Sequence, residues 1–184
     1  MSRIDHNPGI RPRPTIGRRL DAAARASFPA VCTVLLMLLA AAPLGLPLQA
    51  ALLPALTFGC VWFWSLHRPA AMPPALVFLL GVLFDLLGYL PLGIGVLTLL
   101  IIHGIALRAR WVLTRQGFLL VWLAFAVVAA GGALLGWGLN SLLQFRLLPF
   151  PPAVFEFALT VAVYPALSVL FIRAHRSVAD PDRA

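Results

Sequence analysis

Six apolar runs fill most of the chain, and short segments containing polar residues, Pro or Gly separate them. Too little polar sequence remains to form the outside of a soluble fold. Of all residues 61% are hydrophobic and 11% are charged, whereas soluble domains average about 45–50% and about 25%. The runs are therefore predicted to be membrane-spanning helices. They cover residues 28–48, 51–66, 74–90, 92–107, 118–140 and 153–172.

Length alone leaves three of these runs undecided as membrane spans. A helix rises about 1.5 Å per residue, so a hydrocarbon core of about 30 Å needs roughly 20 residues. The first, fifth and sixth runs reach that length, but the second, third and fourth contain only 16 or 17 residues. The five Trp residues lie mostly near run ends, as the aromatic belt at a membrane interface predicts.

The basic residues, all of them Arg, indicate the number and direction of the spans. Cytoplasmic loops of membrane proteins carry an excess of positive charge. With six spans and a cytoplasmic N-terminus, only Arg146 of the 14 basic residues falls on the outer side. Omitting an interior span would move other Arg-bearing loops to that side. The sequence therefore predicts an all-α integral membrane protein, a compact bundle of six transmembrane helices with both termini in the cytoplasm.

Residues 1–27 form a basic tail ahead of the first span, and residues 173–184 form a second one. We expect the first tail to be solvated and to fix orientation; a basic amphipathic stretch from about Ile16, lying on anionic lipid, is the alternative. Arg18-Arg19 also resembles an export signal, but the following run is long for a signal core, which favours a retained anchor. The +8 net charge is spread over tails and loops, so nucleic-acid binding is not expected.

Asp85 is one of only two acidic residues within the predicted spans. An ionisable group in a membrane helix is costly and normally faces the bundle interior or a cavity. Gly81, Asp85 and Gly88 are spaced i, i+4 and i+7, which places them on one helix face. Small residues there would let a second helix approach and supply a donor to the carboxylate. The pattern favours an interhelical clasp, and binding of a partner or ligand is the alternative.

Glu156, the second acidic residue, is predicted to lie at a depth comparable to that of Asp85. Arg146, shortly before the sixth span, could reach it, so we expect an interfacial ion pair that positions the sixth helix. An outward-facing polar pocket that includes Asp85 is the alternative. In the fifth span, Gly132 and Gly136 have the small-xxx-small spacing typical of close helix packing.

No set of side chains in the sequence indicates catalysis, a cofactor or a metal. His103 is predicted to lie deeper in the membrane than Asp85, so a catalytic pair of the two is not expected. We expect instead that His103 forms a hydrogen bond to a neighbouring helix. Cys32 and Cys60 lie in apolar runs without metal-ligand spacing. No HExxH motif, Gly-rich phosphate loop or nucleophile–base pair is found. The chain is therefore predicted to be non-enzymatic.

The segment 54–106 combines several features in a fixed order. A Pro lies in the second span, Pro54, and a short basic loop follows it, His67-Arg68-Pro69. Next come a glycine-led third span with an acidic residue and a Pro-Leu-Gly turn, which read Gly81-Val82-Leu83-Phe84-Asp85-Leu86-Leu87-Gly88-Tyr89-Leu90-Pro91-Leu92-Gly93. This pattern resembles MreD, a family of bacterial rod shape-determining membrane proteins. Leu90 replaces the small residue that the family has before the turn.

The resemblance implies a non-enzymatic scaffold of the elongasome, the complex that builds side-wall peptidoglycan and maintains cell shape. The implied partner is the single-pass membrane protein MreC, through which the scaffold would connect MreB filaments to the glycosyltransferase RodA and its transpeptidase. The implied location is the bacterial cytoplasmic (inner) membrane. The implied partner-binding or interhelical residues are Asp85, Gly81, Gly88, Pro91 and Gly93.

The family is also similar in architecture to the substrate-binding subunits of energy-coupling-factor transporters, which supplies a rival hypothesis. A vitamin-type transporter subunit needs a polar pocket, to which Asp85 and Glu156 could contribute. It also needs a small-residue docking surface, for which the candidates are Ala22, Ala26 and Ala30. The spans hold few polar side chains that could recognise a vitamin, so the scaffold is favoured. An intramembrane enzyme, the third class, would need a nucleophile–base pair or a metal set.

Overall fold

The computed structural model describes the backbone of residues 16–43 and 49–179 and the side chains of residues 27–43 and 49–173. Within these ranges the chain is helical and has no β-strand, as predicted. The elements are α1 Ile16–Ala41, α2 Gln49–His67, a short 3₁₀ helix Pro69–Ala71, α3 Pro74–Leu87, α4 Ile94–Leu113, α5 Phe118–Leu143 and α6 Pro151–Ala179. Residues 1–15 and 180–184 of the predicted tails, and residues 44–48 of the first predicted span, lie outside the described residues.

Four of the described helices are long and apolar enough to cross a membrane, namely α2, α4, α5 and α6 as far as Arg173. The apolar part of α1, Ser27–Ala41, and the whole of α3 are shorter. At 1.5 Å per residue α3 is about 21 Å long, which is less than a hydrocarbon core of about 30 Å. The chain is thus a multi-pass membrane protein with four helices of spanning length in its described part.

The central helix of the bundle is α2, which packs against α1, α4 and α6. It is apolar around its whole circumference, as is typical of a helix that is buried on all sides. Trp62 and Trp64 are fully buried in it, and their rings contact Phe125 of α5 and Phe171 of α6, respectively. These two tryptophans belong to the core and not to the interfacial belt that their positions near a run end suggested.

Large apolar side chains are exposed on the outside of the bundle. Leu35 and Leu39 of α1, Leu79 of α3, and Leu119 and Val127 of α5 are all more than half exposed. A soluble monomer rarely exposes apolar surface on so many of its elements. Lipid solvates such surface, so the arrangement fits a bundle whose outer face lies in a bilayer.

α1, α3 and α5 finish at one end of the bundle, which we call the turn end, because α3 and α4 are joined there by a short turn. Residues from the start of α2, the α3–α4 turn and the α5–α6 turn line one cavity at this end. Gln49 in α2 donates hydrogen bonds to the carbonyl oxygens of Ala40 and Ala42. It thereby satisfies carbonyls that the C-terminus of α1 leaves unpaired.

The helix boundaries differ from the apolar runs, because hydropathy marks the hydrocarbon depth and not the length of a helix. α1 begins at Ile16, twelve residues before the first predicted span. The backbone of this part of the basic tail is therefore helical, as the alternative prediction of a basic amphipathic stretch requires. α4 continues through its polar last turns to Leu113. α3 ends at Leu87, before the end of its run, because Tyr89 has a positive φ angle of 51°.

Candidate functional site

The carboxylate of Asp85 caps the neighbouring helix. Asp85 lies in the last turn of α3 and is fully buried. Its Oδ2 accepts a hydrogen bond from the backbone N–H of Gly93 at 2.7 Å, and its Oδ1 accepts one from Gly95 at 2.6 Å. Gly93 is the N-cap of α4, where the first N–H groups have no partner within the helix and the macrodipole favours negative charge. Asp85 therefore joins α3 to α4, the clasp that its sequence position favoured.

Two glycines allow α3 and α4 to approach closely enough for this clasp. A Cβ atom at Gly81 would lie 2.5 Å from the backbone Cα of Val96. A Cβ atom at Gly95 would lie 2.5 Å from Oδ1 of Asp85 and 2.3 Å from the ring of Phe84. Only hydrogen fits at these positions. Gly81 was among the predicted residues, but Gly95 was not. Its position at the start of α4, two residues after Gly93, could have indicated a close helix contact.

The remaining predicted residues of this segment form the turn itself. Gly88 is the C-cap of α3, and its N–H donates to the carbonyl of Phe84 at 2.9 Å. Gly93 has a φ angle of 109°, which favours glycine. Pro91 is half-buried, and its carbonyl accepts from the N–H of Ile94. The structure thus brings Gly81, Asp85, Gly88, Pro91 and Gly93 together in one element.

The tip of the turn is apolar and exposed. Tyr89 is 96% exposed and Leu92 is 69% exposed, whereas Asp85 beneath them is inaccessible. A contact with another protein at this turn would therefore be made by Tyr89 and Leu92. Asp85 would act by holding the turn in shape.

Beside the turn lies a partly open cavity of about 330 Å³, lined by residues of α2, α5 and α6 as well as of the α3–α4 pair. Its wall is mostly apolar, with Phe58, Phe84 and Ile94 among the lining residues. Thr98, Asn140 and Glu156 supply the polar side chains. Asp85 does not line the cavity, so the alternative of a polar pocket that includes Asp85 is not what the structure shows: the cavity at this end is mostly apolar and is lined by Glu156.

Glu156 and Arg146, predicted to form an ion pair, are not paired in the structure. No ion pair joins them among the described side chains, and Arg146 is exposed in the α5–α6 turn. The turn is held by other contacts, because Trp137 Nε1 donates to the carbonyl of Leu148 at 3.1 Å. Ser141 Oγ accepts from the Leu148 N–H at 3.3 Å. Glu156 instead faces the cavity, where no described side chain pairs with its carboxyl group.

The two glycines of the predicted packing motif in α5 have different surroundings. A Cβ atom at Gly132 would lie 3.0 Å from the ring of Phe58 and 3.4 Å from Thr98, so Gly132 does pack closely against α2 and α4. At Gly136 a Cβ atom would meet nothing within 4 Å. Both glycines line the cavity, and Gly136 contributes open space there and not a helix contact.

His103 forms the expected hydrogen bond to a neighbouring helix. Its Nδ1 lies 2.8 Å from Oγ of Ser65 in α2, and both side chains are buried. The sequence did not single out Ser65. Nε2 of His103 has no hydrogen-bond partner. Nowhere in the described part of the chain do three or more His, Cys, Asp or Glu side chains gather as a metal site would require.

Comparisons with known proteins give no relative: no protein-family model, curated protein or solved structure matches this chain.

Proposed function

We propose that this chain is a non-enzymatic membrane scaffold of the MreD type, which binds an MreC-like single-pass protein and links MreB filaments to side-wall peptidoglycan synthesis by RodA and its transpeptidase. The observation that carries the proposal is the α3–α4 turn. The residues that resemble the family, Gly81 to Gly93, form one element in which a buried carboxylate fixes an exposed apolar tip. Such an element suits protein contact better than chemistry.

The energetic design of the turn supports a binding role. Two charge-assisted hydrogen bonds and two close glycine contacts hold the backbone in place before any partner arrives. A preformed surface loses little conformational entropy on binding. The side chains that it presents, Tyr89 and Leu92, are of the aromatic and aliphatic kinds that fill pockets in protein partners.

The distribution of charge supports the proposed topology of six spans with both termini in the cytoplasm of a bacterium. Arg68 follows the end of α2, Arg110 lies in the last turn of α4, and Arg115 follows α4. These three residues therefore lie at the end of the bundle opposite the turn end. The positive-inside bias assigns that end to the cytoplasm, and the turn then faces the periplasm.

We predict that the full chain, tagged and solubilised in mild detergent, co-purifies with a single-pass protein that has a periplasmic coiled coil. Replacing the turn tip by Tyr89→Ser with Leu92→Ser should lower the recovered partner at least about tenfold, since a buried Tyr is one of the side chains that dominate interface energies. Recovery is measured by quantitative mass spectrometry against the amount of bait.

Phe145→Ser with Leu147→Ser is the matched control, because these two residues are 94% and 85% exposed in the α5–α6 turn at the same end of the bundle. This variant should retain the partner. An equal loss in both double variants would remove the α3–α4 turn as the contact surface. Recovery of an ATPase and a large transmembrane coupling subunit in place of the single-pass protein would contradict the scaffold function itself.

Depletion of the protein in a rod-shaped host should produce round cells, because side-wall synthesis would lose its connection to the cytoskeletal filaments. Cell length and width are measured by microscopy through several generations after depletion. Re-expression of the wild-type chain should restore rods, and re-expression of the Tyr89→Ser, Leu92→Ser variant should not. Unchanged cell dimensions during depletion would count directly against the proposal.

The cavity is the one observation that favours the rival, a substrate-binding transporter subunit. Its volume lies at the lower end of the range for small-molecule sites. However, Thr98 Oγ1 already donates its hydrogen to the carbonyl of Ile94, so Thr98 can only accept from a substrate, and Asn140 and Glu156 are the other polar side chains. A vitamin with several polar groups would meet few partners there, so the scaffold stays the better proposal.

A further inference from the structure

Glu156 is an acidic side chain in a membrane helix that faces a cavity, and no side chain in the described part of the chain pairs with it. It is the sixth residue of α6, which begins at Pro151, and it is half-buried. Apart from the backbone hydrogen bonds of the helix, Thr160 Oγ1 donates to its backbone carbonyl at 2.6 Å. No described side chain donates to the carboxyl group or forms an ion pair with it. An ionisable group within a membrane helix normally has a partner or serves a pathway or a ligand.

Asp85, the other acidic residue at this end of the bundle, is a carboxylate with a structural role and serves for comparison. Asp85 is fully buried, and both of its oxygens accept hydrogen bonds from backbone N–H groups. Glu156 has neither feature. The nearest basic residue along the chain at the turn end, Arg146, is exposed and held in a turn by other contacts. Fold stability therefore does not explain the position of Glu156.

The cavity that Glu156 faces has the composition of a small-molecule binding site. Gly136 opens its wall along α5, because no atom lies within 4 Å of a Cβ position there. Phe58, Phe84 and Trp137 provide large apolar surfaces. The polar side chains are few and lie on different helices: Thr98 on α4, Asn140 on α5 and Glu156 on α6. Ligand sites typically combine a mostly apolar wall with a few such polar groups.

We infer that this cavity binds a compact amphiphilic amine, whose ammonium group pairs with Glu156 and whose apolar body lies against the aromatic wall. The carboxyl group supplies the opposite charge, and the side-chain oxygen of Asn140 is a second acceptor. An ammonium ion has three donors and no acceptor, which matches a site rich in acceptors and poor in donors.

The size of the cavity limits the ligand. Its volume of about 330 Å³ lies at the lower end of the range for small-molecule sites. A compact amine suits a space of that size better than a large ligand does. The ammonium group could belong to a free small amine or to the head group of an ethanolamine phospholipid that enters from the membrane. This inference goes beyond scaffolding and holds whether or not the co-purification identifies an MreC-like partner.

The test uses 2-phenylethylamine as the probe, titrated into the purified full chain in dodecyl maltoside micelles by isothermal titration calorimetry, with empty micelles subtracted. We expect saturable binding with a Kd of about 0.1–1 mM, as befits nine non-hydrogen atoms. The neutral analogue 2-phenylethanol, which has the same shape but no charge, should bind about tenfold more weakly or not at all.

Two variants separate the role of charge from that of space. Glu156→Gln keeps the size of the side chain and should weaken amine binding at least about tenfold while leaving 2-phenylethanol unaffected. Gly136→Leu fills the cavity and should abolish binding. Gly131→Leu is the matched control, because Gly131 also has open space within 4 Å but does not line the cavity. It should bind like the wild type, and thermal melting of each variant shows that it is folded.

The proposal fails if the wild type shows no saturable binding up to the solubility of the amine. It also fails if Glu156→Gln binds the amine as tightly as the wild type, or if Gly136→Leu and Gly131→Leu behave alike. Whether the natural ammonium group comes from a free amine or from a lipid head group is decided by a second titration. It is carried out in nanodiscs that contain phosphatidylglycerol with either phosphatidylethanolamine or phosphatidylcholine. Weaker amine binding in the ethanolamine discs means that the lipid head group competes for the site, and equal binding assigns the site to a free amine.

Discussion

Asp85→Ala is expected to lower the free energy of unfolding by about 3–5 kcal/mol, because it removes two hydrogen bonds to a charged acceptor and leaves the N–H of the buried Gly95 unpaired. Gly93 and Gly95 donate those bonds, and Asp85 is fully buried. The start of α4 should therefore fray, and the turn that presents Tyr89 and Leu92 should lose its fixed shape.

The free energy is measured by reversible unfolding in mixed micelles of dodecyl maltoside and sodium dodecyl sulfate. Asp85→Asn keeps one acceptor oxygen, so its free energy of unfolding should fall by about half as much as that of Asp85→Ala. Membrane insertion should persist in both variants, since the apolar runs are unchanged, while recovery of the single-pass partner should fall. A loss below about 0.5 kcal/mol for Asp85→Ala would fall within the range of ordinary surface substitutions. It would show that the carboxylate does not hold the two helices together.

The clasp was largely predictable from the sequence, and the reason is geometric. Helical spacing puts Gly81, Asp85 and Gly88 on one face, and a buried carboxylate in a membrane must find a donor. The identity of the donors was not predictable in the same way. They are the backbone N–H groups of Gly93 and Gly95, and backbone donors leave no trace in a pattern of side chains except the glycines that allow the approach.

The ion pair between Arg146 and Glu156 was predicted from distance along the chain, which gives reach but not direction. The direction depends on how the α5–α6 turn is held, and Trp137 and Ser141 hold it through Leu148. Those bonds involve backbone atoms seven and eleven residues away. The cavity was equally hard to predict, because five helices and two turns contribute to its wall. No local window of sequence contains that information.

Hydropathy predicted where the helices lie but not which faces meet lipid. In a membrane, a lipid-facing side chain and a core side chain are both apolar, so periodicity does not separate them. Trp62 and Trp64 illustrate this, since their position near a run end suggested the interface and the structure buries them completely. Small residues indicate packing faces better than hydropathy does, since Gly81 and Gly132 both lie in close helix contacts. The signal is imperfect, because Gly136 has the same spacing but no atom near its Cβ position.

Gly81→Ala and Gly104→Ala are expected to change stability in opposite directions, although both replace a glycine inside a helix with the same residue. At Gly81 the new methyl group would lie 2.5 Å from Cα and 3.0 Å from N of Val96. Backbone atoms cannot rotate away, so α3 and α4 must separate. This overpacking should cost about 2–3 kcal/mol. The separation would also stretch the bonds of Asp85 to Gly93 and Gly95, which adds to the loss.

Gly104 lies in α4 with nothing within 4 Å of its Cβ position. There the same substitution should raise stability by about 0.5–1 kcal/mol, because alanine loses less backbone freedom than glycine when a helix forms. Unfolding in mixed micelles measures both variants side by side with the wild type. Two losses of similar size would mean that any added methyl group harms this bundle. Two gains would mean that α3 and α4 do not approach as closely at Gly81 as the clasp requires.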